Sequence, residues 1–157
     1  MAYALQPLLR IRLMREDRAS GELVAAKRDL ALAEEALVAR QKDLEEWELT
    51  KEERRDRIYA TVMGRTVSRD QIDLANEGVA RIDEEGAIKA DNVKRAESER
   101  AKREEAAEAA RQNLNLATKN RMKIDEHKAV WIREDAMAQE TRAEGELEDF
   151  TVRKEEI

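Results

Sequence analysis

The chain has 157 residues, of which 42% are charged and 3% aromatic, with a single proline, no cysteine and a net charge of −6. So few large apolar residues cannot fill a globular interior, and the lack of cysteine excludes disulfides and thiolate metal sites. The net charge arises between Glu134 and Ile157, where nine acids outnumber Arg142, Arg153 and Lys154. The rest of the chain is neutral overall and offers no basic footprint for nucleic acid.

Pro7 predicts a helix over about residues 7–61, because proline is well tolerated in the first helical turn and no other proline follows. The apolar run before Pro7 is too short for a signal peptide or a membrane span, so we expect neither. Four arginines follow it. They form either a solvated surface with local salt bridges or a docking surface for an acidic partner, since arginine makes forked contacts to carboxylates. These residues are Arg10, Arg12, Arg15 and Arg18.

A leucine recurs at every seventh position, at Leu23, Leu30, Leu37 and Leu44. This repeat averages about 3.5 residues per turn and keeps one apolar stripe facing a partner helix. The intervening positions are mostly charged residues or alanine, as expected for a helix with one face in water. Such a narrow seam requires a second helix.

The charge pattern stops at residues 62–67, where Gly64 can take the left-handed conformation that ends helices. Ser68 and Gln71 then have the spacing of a capping box, which predicts a new helix start. A helix end and a helix start this close together indicate a helical hairpin. The apolar residues at its tip either pack on one another or bind a partner; they are Val62, Met63, Val67, Ile72 and Leu74.

The extent of the tip decides how the two helices pair. A short tip at residues 62–68 places Leu23 beside Ala110. A long tip at residues 62–91, including the region around Gly78 and Gly86, places Leu23 beside Trp131. We favour the long tip with a second helix running to about residue 155, because that register covers Trp131.

The second helix carries Arg100 and Arg103 at seam positions. We expect their aliphatic stems to pack while the charged groups reach water. The predicted fold is therefore all-α, a single elongated domain formed by a long two-helix antiparallel coiled-coil hairpin.

No catalytic or cofactor site is predicted. The single histidine, His127, lacks a second histidine four residues away, so a solvent-facing side chain is expected rather than a metal ligand. The five glycines are scattered and form no phosphate-binding loop. We expect no enzymatic activity, no metal and no cofactor.

Two stretches resemble the YscO/FliJ family, the stalk proteins of type III secretion systems, and the virulence branch (YscO, also called SctO) is the more similar. Near the start the resemblance rests on Leu8-Leu9-Arg10-Ile11-Arg12 and Arg15-Glu16-Asp17-Arg18-Ala19. Near the end it rests on Lys123-Ile124-Asp125-Glu126-His127-Lys128-Ala129-Val130-Trp131, followed by Glu144, Glu146, Glu148, Asp149 and Phe150.

The resemblance implies a cytoplasmic coiled-coil hairpin at the base of the secretion apparatus. Its open end would insert into the pore of the hexameric secretion ATPase, and its tip would contact the cytoplasmic ring of the export gate. Members of the family also bind free secretion chaperones. The implied ATPase-binding residues are Arg10, Arg12, Arg15 and Arg18, with Trp131 and Phe150 supporting that end; the implied gate-binding residues are Val62, Met63, Val67 and Ile72.

One alternative of a different class is a structural coiled-coil scaffold that homodimerises through its heptad seam. It would form a parallel dimer or bundle and would need no ATPase. Neither reading involves nucleic acid or membrane insertion.

Overall fold

The computed structural model describes residues 2–155, with side chains up to residue 150. Two α-helices account for nearly all of them: α1 spans Gln6–Tyr59 and α2 spans Arg69–Glu155. The described residues contain no β-strand, and the two helices pack against each other in opposite directions. The predicted all-α helical hairpin is confirmed.

Local sequence signals set the helix ends close to where they were expected. Helix α1 begins one residue before Pro7, and the amide of Gln6 donates to the carbonyl of Tyr3 at 3.1 Å. Gly64 follows the end of α1 with a φ of 69°, in the left-handed region that glycine adopts without steric cost. At the start of α2, the amide of Gln71 donates to Ser68 Oγ at 3.3 Å and the amide of Ser68 donates to Gln71 Oε1 at 2.9 Å. The predicted capping box is therefore present.

The prediction of a long tip at residues 62–91 was wrong, since α2 is already helical from Arg69. Gly78 and Gly86 do not break this helix. A Cβ added at Gly78 would lie 3.1 Å from Ile58 Cδ1, and one added at Gly86 would overlap the indole of Trp47. Each glycine lets a large side chain of α1 approach the backbone of α2. That packing offsets the low helix propensity of glycine, about 1 kcal/mol relative to alanine.

Residues 24–108 form one compact unit. Its buried side chains are few and mostly small: Ala33, Ala75, Ile82 and Ala107. Trp47 is the largest residue in the seam. Its Nε1 donates to the carbonyl of Ile82 at 3.1 Å, and Lys51 Nζ lies 5.0 Å from the centre of its ring.

The helix register within this unit is the one that belongs to the short tip. Glu34 lies 3.8 Å from Arg100, and Asp29 lies 3.6 Å from Arg103. The favoured register of the long tip was wrong, since the same offset that pairs Leu23 with Trp131 would pair Trp47 with Ala107, which is not observed. It would also have opposed Lys51 to Arg103, whereas the observed register gives both seam arginines an acidic partner on α1. Trp47 meets Gly86 instead, where no side chain competes for the space.

Residues 1–23 and 109–157 form the other compact unit. Here Tyr3, Leu9 and Ala19 are buried. The ring of Tyr3 lies 5.4 Å from that of Trp131, between centroids. The long tip was favoured because its register covered Trp131, but Tyr3 covers Trp131 from outside the predicted helix.

Candidate docking surfaces

The arginines near the start of α1 do not form a uniform set. Arg10, Arg15 and Arg18 are exposed, whereas Arg12 is half-buried. Arg18 pairs with Glu22 one turn along the helix at 3.0 Å. Within residues 2–150, Arg10 and Arg15 have no ion-pair partner. Two of the predicted ATPase-binding arginines therefore present unpaired guanidinium groups, and a third pairs only through a surface contact that contributes little to stability.

Arg12 differs because its Nε is buried and has no hydrogen-bond partner among the described residues. Buried polar atoms are normally hydrogen-bonded, so this nitrogen carries a desolvation cost. The side chain lies on the same face of α1 as Leu9 and Ala19, which are buried. Arg12 is thus placed for packing against α2 more than for an external contact.

Exposed apolar side chains lie among the three exposed arginines. Met14 is 71% exposed and Ile11 is 46% exposed. Together with Arg10, Arg15 and Arg18 they form what we call the arginine face. It combines forked cationic donors with apolar area, the composition expected of a surface that binds an acidic protein partner.

A cluster of polar and aromatic side chains ties the start of the chain to α2. The hydroxyl of Tyr3 and Nδ1 of His127 are 2.8 Å apart, and Lys128 Nζ donates to Gln6 Oε1 at 2.9 Å. His127 is exposed, as predicted, and its ring also takes part in this hydrogen bond. Sequence reasoning missed Tyr3, because it precedes the predicted helix and its partners on α2 are more than 120 residues away in the sequence. Phe150, also predicted to support this end, is 66% exposed.

Glu16 joins the two helices further along the same unit. Its carboxylate accepts from Thr118 Oγ1 at 2.9 Å and from Arg121 Nε at 2.5 Å. Arg121 also donates to Asp125 on its own helix. The hydrogen bonds to Glu16 and then to Asp125 raise the pKa of Arg121 above its ordinary value. This network fixes how α1 and α2 pair within the unit.

One of the four predicted gate-binding residues, Val62, lines an apolar groove in the other unit. The groove has a volume of about 480 Å³ and is lined by Ile58, Thr61, Val62, Gln71, Leu74, Ala75, Gly78 and Arg81. Val62 belongs to this lining and Val67 is half-buried. Met63 and Ile72 do not line the groove, but they are 71% and 45% exposed. Ile58 and Gly78 were not predicted as site residues; their separation in sequence hides their proximity.

Arginines line an adjoining depression that shares Ile58 and Gly78 with the groove. Arg54 donates to Glu85 at 2.7 Å, and this hydrogen bond lowers the pKa of Glu85 from its ordinary value of 4.5. Arg57 and Arg81 are mostly exposed and, among the described residues, form ion pairs only with acids one turn away on their own helices. Apolar area next to accessible cations suits a partner segment that carries apolar and acidic side chains.

The described part of the chain holds no cluster of histidine and acidic side chains suited to a metal ion. In the same residues, neither helix has a stretch long and apolar enough to span a membrane. The ion pairs among the described residues lie either within one helix, as between Arg18 and Glu22, or between the two helices, as between Arg54 and Glu85.

These features define a class of protein: a charged helical hairpin with exposed cationic and apolar surfaces. The family model for the type III secretion protein YscO matches residues 5–153, and the chain therefore belongs to the YscO family. The fold is similar to the solved structure of a proposed YscO homologue from Chlamydia trachomatis, with a TM-score of 0.73 and 22% identity. That match covers 95% of this chain and 91% of the other. A search of curated protein sequences found no match.

Proposed function

We propose that this chain is the non-enzymatic central stalk of a type III secretion system. In this role the unit that carries both chain termini enters the hexameric secretion ATPase, and the groove around Val62 meets the export gate. The stalk works in the cytoplasm at the base of the apparatus and also binds free secretion chaperones. Membership of the YscO family supports a place in type III secretion; the ATPase, gate and chaperone contacts follow from the resemblance described above.

The arginine face is the observation that carries this proposal. Three exposed arginines and two exposed apolar side chains occupy one short stretch of α1, and the contacts of Tyr3 hold that stretch beside α2. A surface of this kind is suited to acidic groups on the wall of a pore. The packed hairpin also argues against the scaffold alternative, because Trp47 and the residues around it use the heptad seam within the chain.

The proposal is tested by replacing Arg10, Arg15 and Arg18 with glutamate and measuring stimulation of the cognate secretion ATPase. Each charge-assisted contact contributes roughly 1.5–3 kcal/mol, so we expect stimulation at limiting stalk concentration to fall about tenfold or more. Helix content measured by circular dichroism should not change, because all three side chains are exposed. Arg12→Glu belongs in a separate variant, since its half-buried position predicts lower stability instead.

A matched control replaces Arg28, Arg69 and Arg95 with glutamate. These residues are exposed and give the same change in net charge at other positions. The control should stimulate the ATPase like the wild type. An equal loss of ATPase stimulation in both triple variants would show an effect of net charge alone. Full stimulation by the Arg10/Arg15/Arg18 variant would refute the ATPase contact at these residues.

A further inference from the structure

Helix α1 carries a second stripe of side chains on the side turned away from α2. Its leucine repeat faces α2, where Ala33 is buried and Leu30 and Leu37 are half-buried. Positions one, two and five residues after each leucine therefore point away from α2. Between residues 24 and 39 all of these positions are exposed. We call them the outer stripe: Val24, Ala25, Arg28, Ala31, Leu32, Glu35, Val38 and Ala39.

Large and small apolar residues alternate along the outer stripe. They occur in adjacent pairs, in the order Val24-Ala25, Ala31-Leu32 and Val38-Ala39. The large member of each pair is exposed, by 56% at Val24, 58% at Leu32 and 63% at Val38. The stripe is therefore an uneven apolar surface, in which each projecting side chain stands beside an alanine.

The centre line of the outer stripe holds one cation and one anion. Arg28 and Glu35 are exposed and lie seven residues apart. Within residues 2–150 neither forms an ion pair, whereas the neighbouring Asp29 and Glu34 reach arginines of α2. Residues seven apart do not pair along one helix, because helical neighbours are three or four residues apart. Both charges are thus available to an external partner.

A shallow depression of about 470 Å³ lies in this surface. Its lining consists of Ala31, Glu34, Glu35, Val38 and Ala39. The short alanine side chains leave the space, and Glu35 supplies a carboxylate that has no ion-pair partner among the described residues. The depression therefore suits an aliphatic side chain accompanied by a cation. Leu32 and Arg28, one turn apart on the same stripe, are such a combination.

We propose that the outer stripe of one copy binds the outer stripe of a second copy in the antiparallel direction. The two-fold axis passes between Ala31 and Leu32, so each copy gives and receives the same contacts. Arg28 then faces Glu35 of the second copy, and Glu35 faces its Arg28. Each of these pairs allows a forked, charge-assisted contact. Leu32 and Arg28 of the second copy enter the depression beside Ala31 and Glu35.

The same arrangement matches the apolar residues by size. Every large side chain of the stripe faces an alanine of the second copy: Val24 faces Ala39, Leu32 faces Ala31 and Val38 faces Ala25. Projections on one copy therefore fill the gaps on the other, as close packing between helices requires.

Charge fixes both the direction and the register of this contact. A parallel pair in register would place Arg28 against Arg28. An antiparallel pair shifted by one heptad would place either Arg28 against Arg28 or Glu35 against Glu35. Of these arrangements, only the proposed one joins opposite charges at both places. The partner is thus a second copy, because the outer stripe is its own complement when it is read in the reverse direction.

The contact is short and separate from the surfaces assigned to the stalk role. Residues 24–39 span about 24 Å of helix, which places the contact among small, weak interfaces. It uses no residue of the arginine face and none that lines the groove around Val62. The test contains neither ATPase nor export gate, so its outcome does not depend on the stalk role.

Sedimentation equilibrium of the full chain tests the proposal. The wild type should dimerise at low salt with a Kd below about 100 μM. This Kd should rise roughly threefold or more between about 50 and 500 mM NaCl, because exposed charges are screened. Arg28→Glu should raise Kd at least about tenfold, since two acids then face each other at both contacts. Glu35→Arg should do the same, because it places two arginines together.

Restoring the charge pairing should restore the dimer. An equimolar mixture of Arg28→Glu chains and Glu35→Arg chains should form a heterodimer, because both contacts again join opposite charges. The double variant, Arg28→Glu with Glu35→Arg, should dimerise with itself at a Kd within about threefold of the wild type. A loss caused by damage to the fold would not be repaired in either way.

Two matched controls are Arg95→Glu and Glu48→Arg, at exposed positions outside the outer stripe. Each makes the same change in net charge as one stripe variant and should dimerise like the wild type. Because the chain has no cysteine, Ala25→Cys chains mixed with Val38→Cys chains should form a disulfide-linked heterodimer under mild oxidation. A wild type that is monomeric at low salt, or a double variant that stays monomeric, would overturn the inference. So would controls that dissociate like the stripe variants, or a mixture of cysteine variants that does not cross-link.

Discussion

The indole of Trp47 packs directly on the backbone of Gly86, and its Nε1 donates to the carbonyl of Ile82 on the same helix. No larger residue fits at position 86, since even an alanine Cβ would overlap the ring. Trp47 thus occupies the gap left by Gly86, as Ile58 packs on Gly78 nearer the tip. This contact accounts for the observed register, because a shift of either helix would place the indole against a side chain.

Gly86→Ala should therefore destabilise the protein, although alanine is the better helix former. Overpacking of a core typically costs about 1–3 kcal/mol, and we expect a net loss of up to about 2 kcal/mol after the gain in helix propensity. Guanidinium chloride denaturation followed by circular dichroism measures the change. Gly21→Ala is the matched control: it meets no atom within 4 Å and should stabilise by up to about 1 kcal/mol. Equal effects of the two substitutions would contradict the packing argument.

Glu16→Ala should destabilise through loss of the contacts to Thr118 and Arg121. The side chains of Glu16 and Arg121 are 21% and 25% exposed, so both are partly removed from water. Removing the acid leaves the arginine with only Asp125, and we expect a loss of about 1–3 kcal/mol. Asp17→Ala, an exposed neighbour, should change stability by less than about 0.5 kcal/mol. A double-mutant cycle with Arg121→Ala isolates the pairwise contribution, which should be clearly different from zero.

Glu85 should make stability fall in acid. Its hydrogen bond from Arg54 lowers its pKa from the ordinary 4.5 in the folded state. The unfolded chain then binds the proton more readily, so the contribution of this pair is present above pH 4.5 and disappears as the pH falls through the folded-state pKa. Thermal unfolding between about pH 6 and pH 3 should show a smaller decrease in Tm for Glu85→Gln than for the wild type. Glu48→Gln, at an exposed position, should retain the full wild-type decrease.

Met63→Ser with Ile72→Ser should weaken binding to the export gate and spare binding to the ATPase. Both side chains are exposed, so the fold should tolerate the change, whereas Val62 and Val67 are half-buried and contribute to packing. Loss of two apolar contacts predicts a rise in Kd of about tenfold or more, measured by calorimetry with the soluble gate domain. Leu32→Ser with Leu49→Ser removes comparable exposed apolar area outside the tip and should leave that Kd unchanged. Unfolding of the Met63/Ile72 variant would instead identify a structural role.

Local signals in the sequence determined the elements. Pro7 placed the start of α1, Gly64 adopts the left-handed conformation within the connection, and Ser68 with Gln71 started α2. Each signal acts through the backbone of a few neighbouring residues, so it can be read without knowing what packs nearby. The leucine repeat likewise required a partner helix. Because the chain turns back between α1 and α2, its own second helix can be that partner.

Only the tertiary structure decided the register in which α1 and α2 pair, and with it the extent of the tip. Gly86 is a helix breaker by propensity, yet in the fold it is the gap that admits Trp47, because packing between helices outweighs a propensity cost of about 1 kcal/mol. The separation of Arg12 from the three exposed arginines is decided in the same way. The sequence shows four cations, and the face of α1 turned toward α2 determines which one is buried.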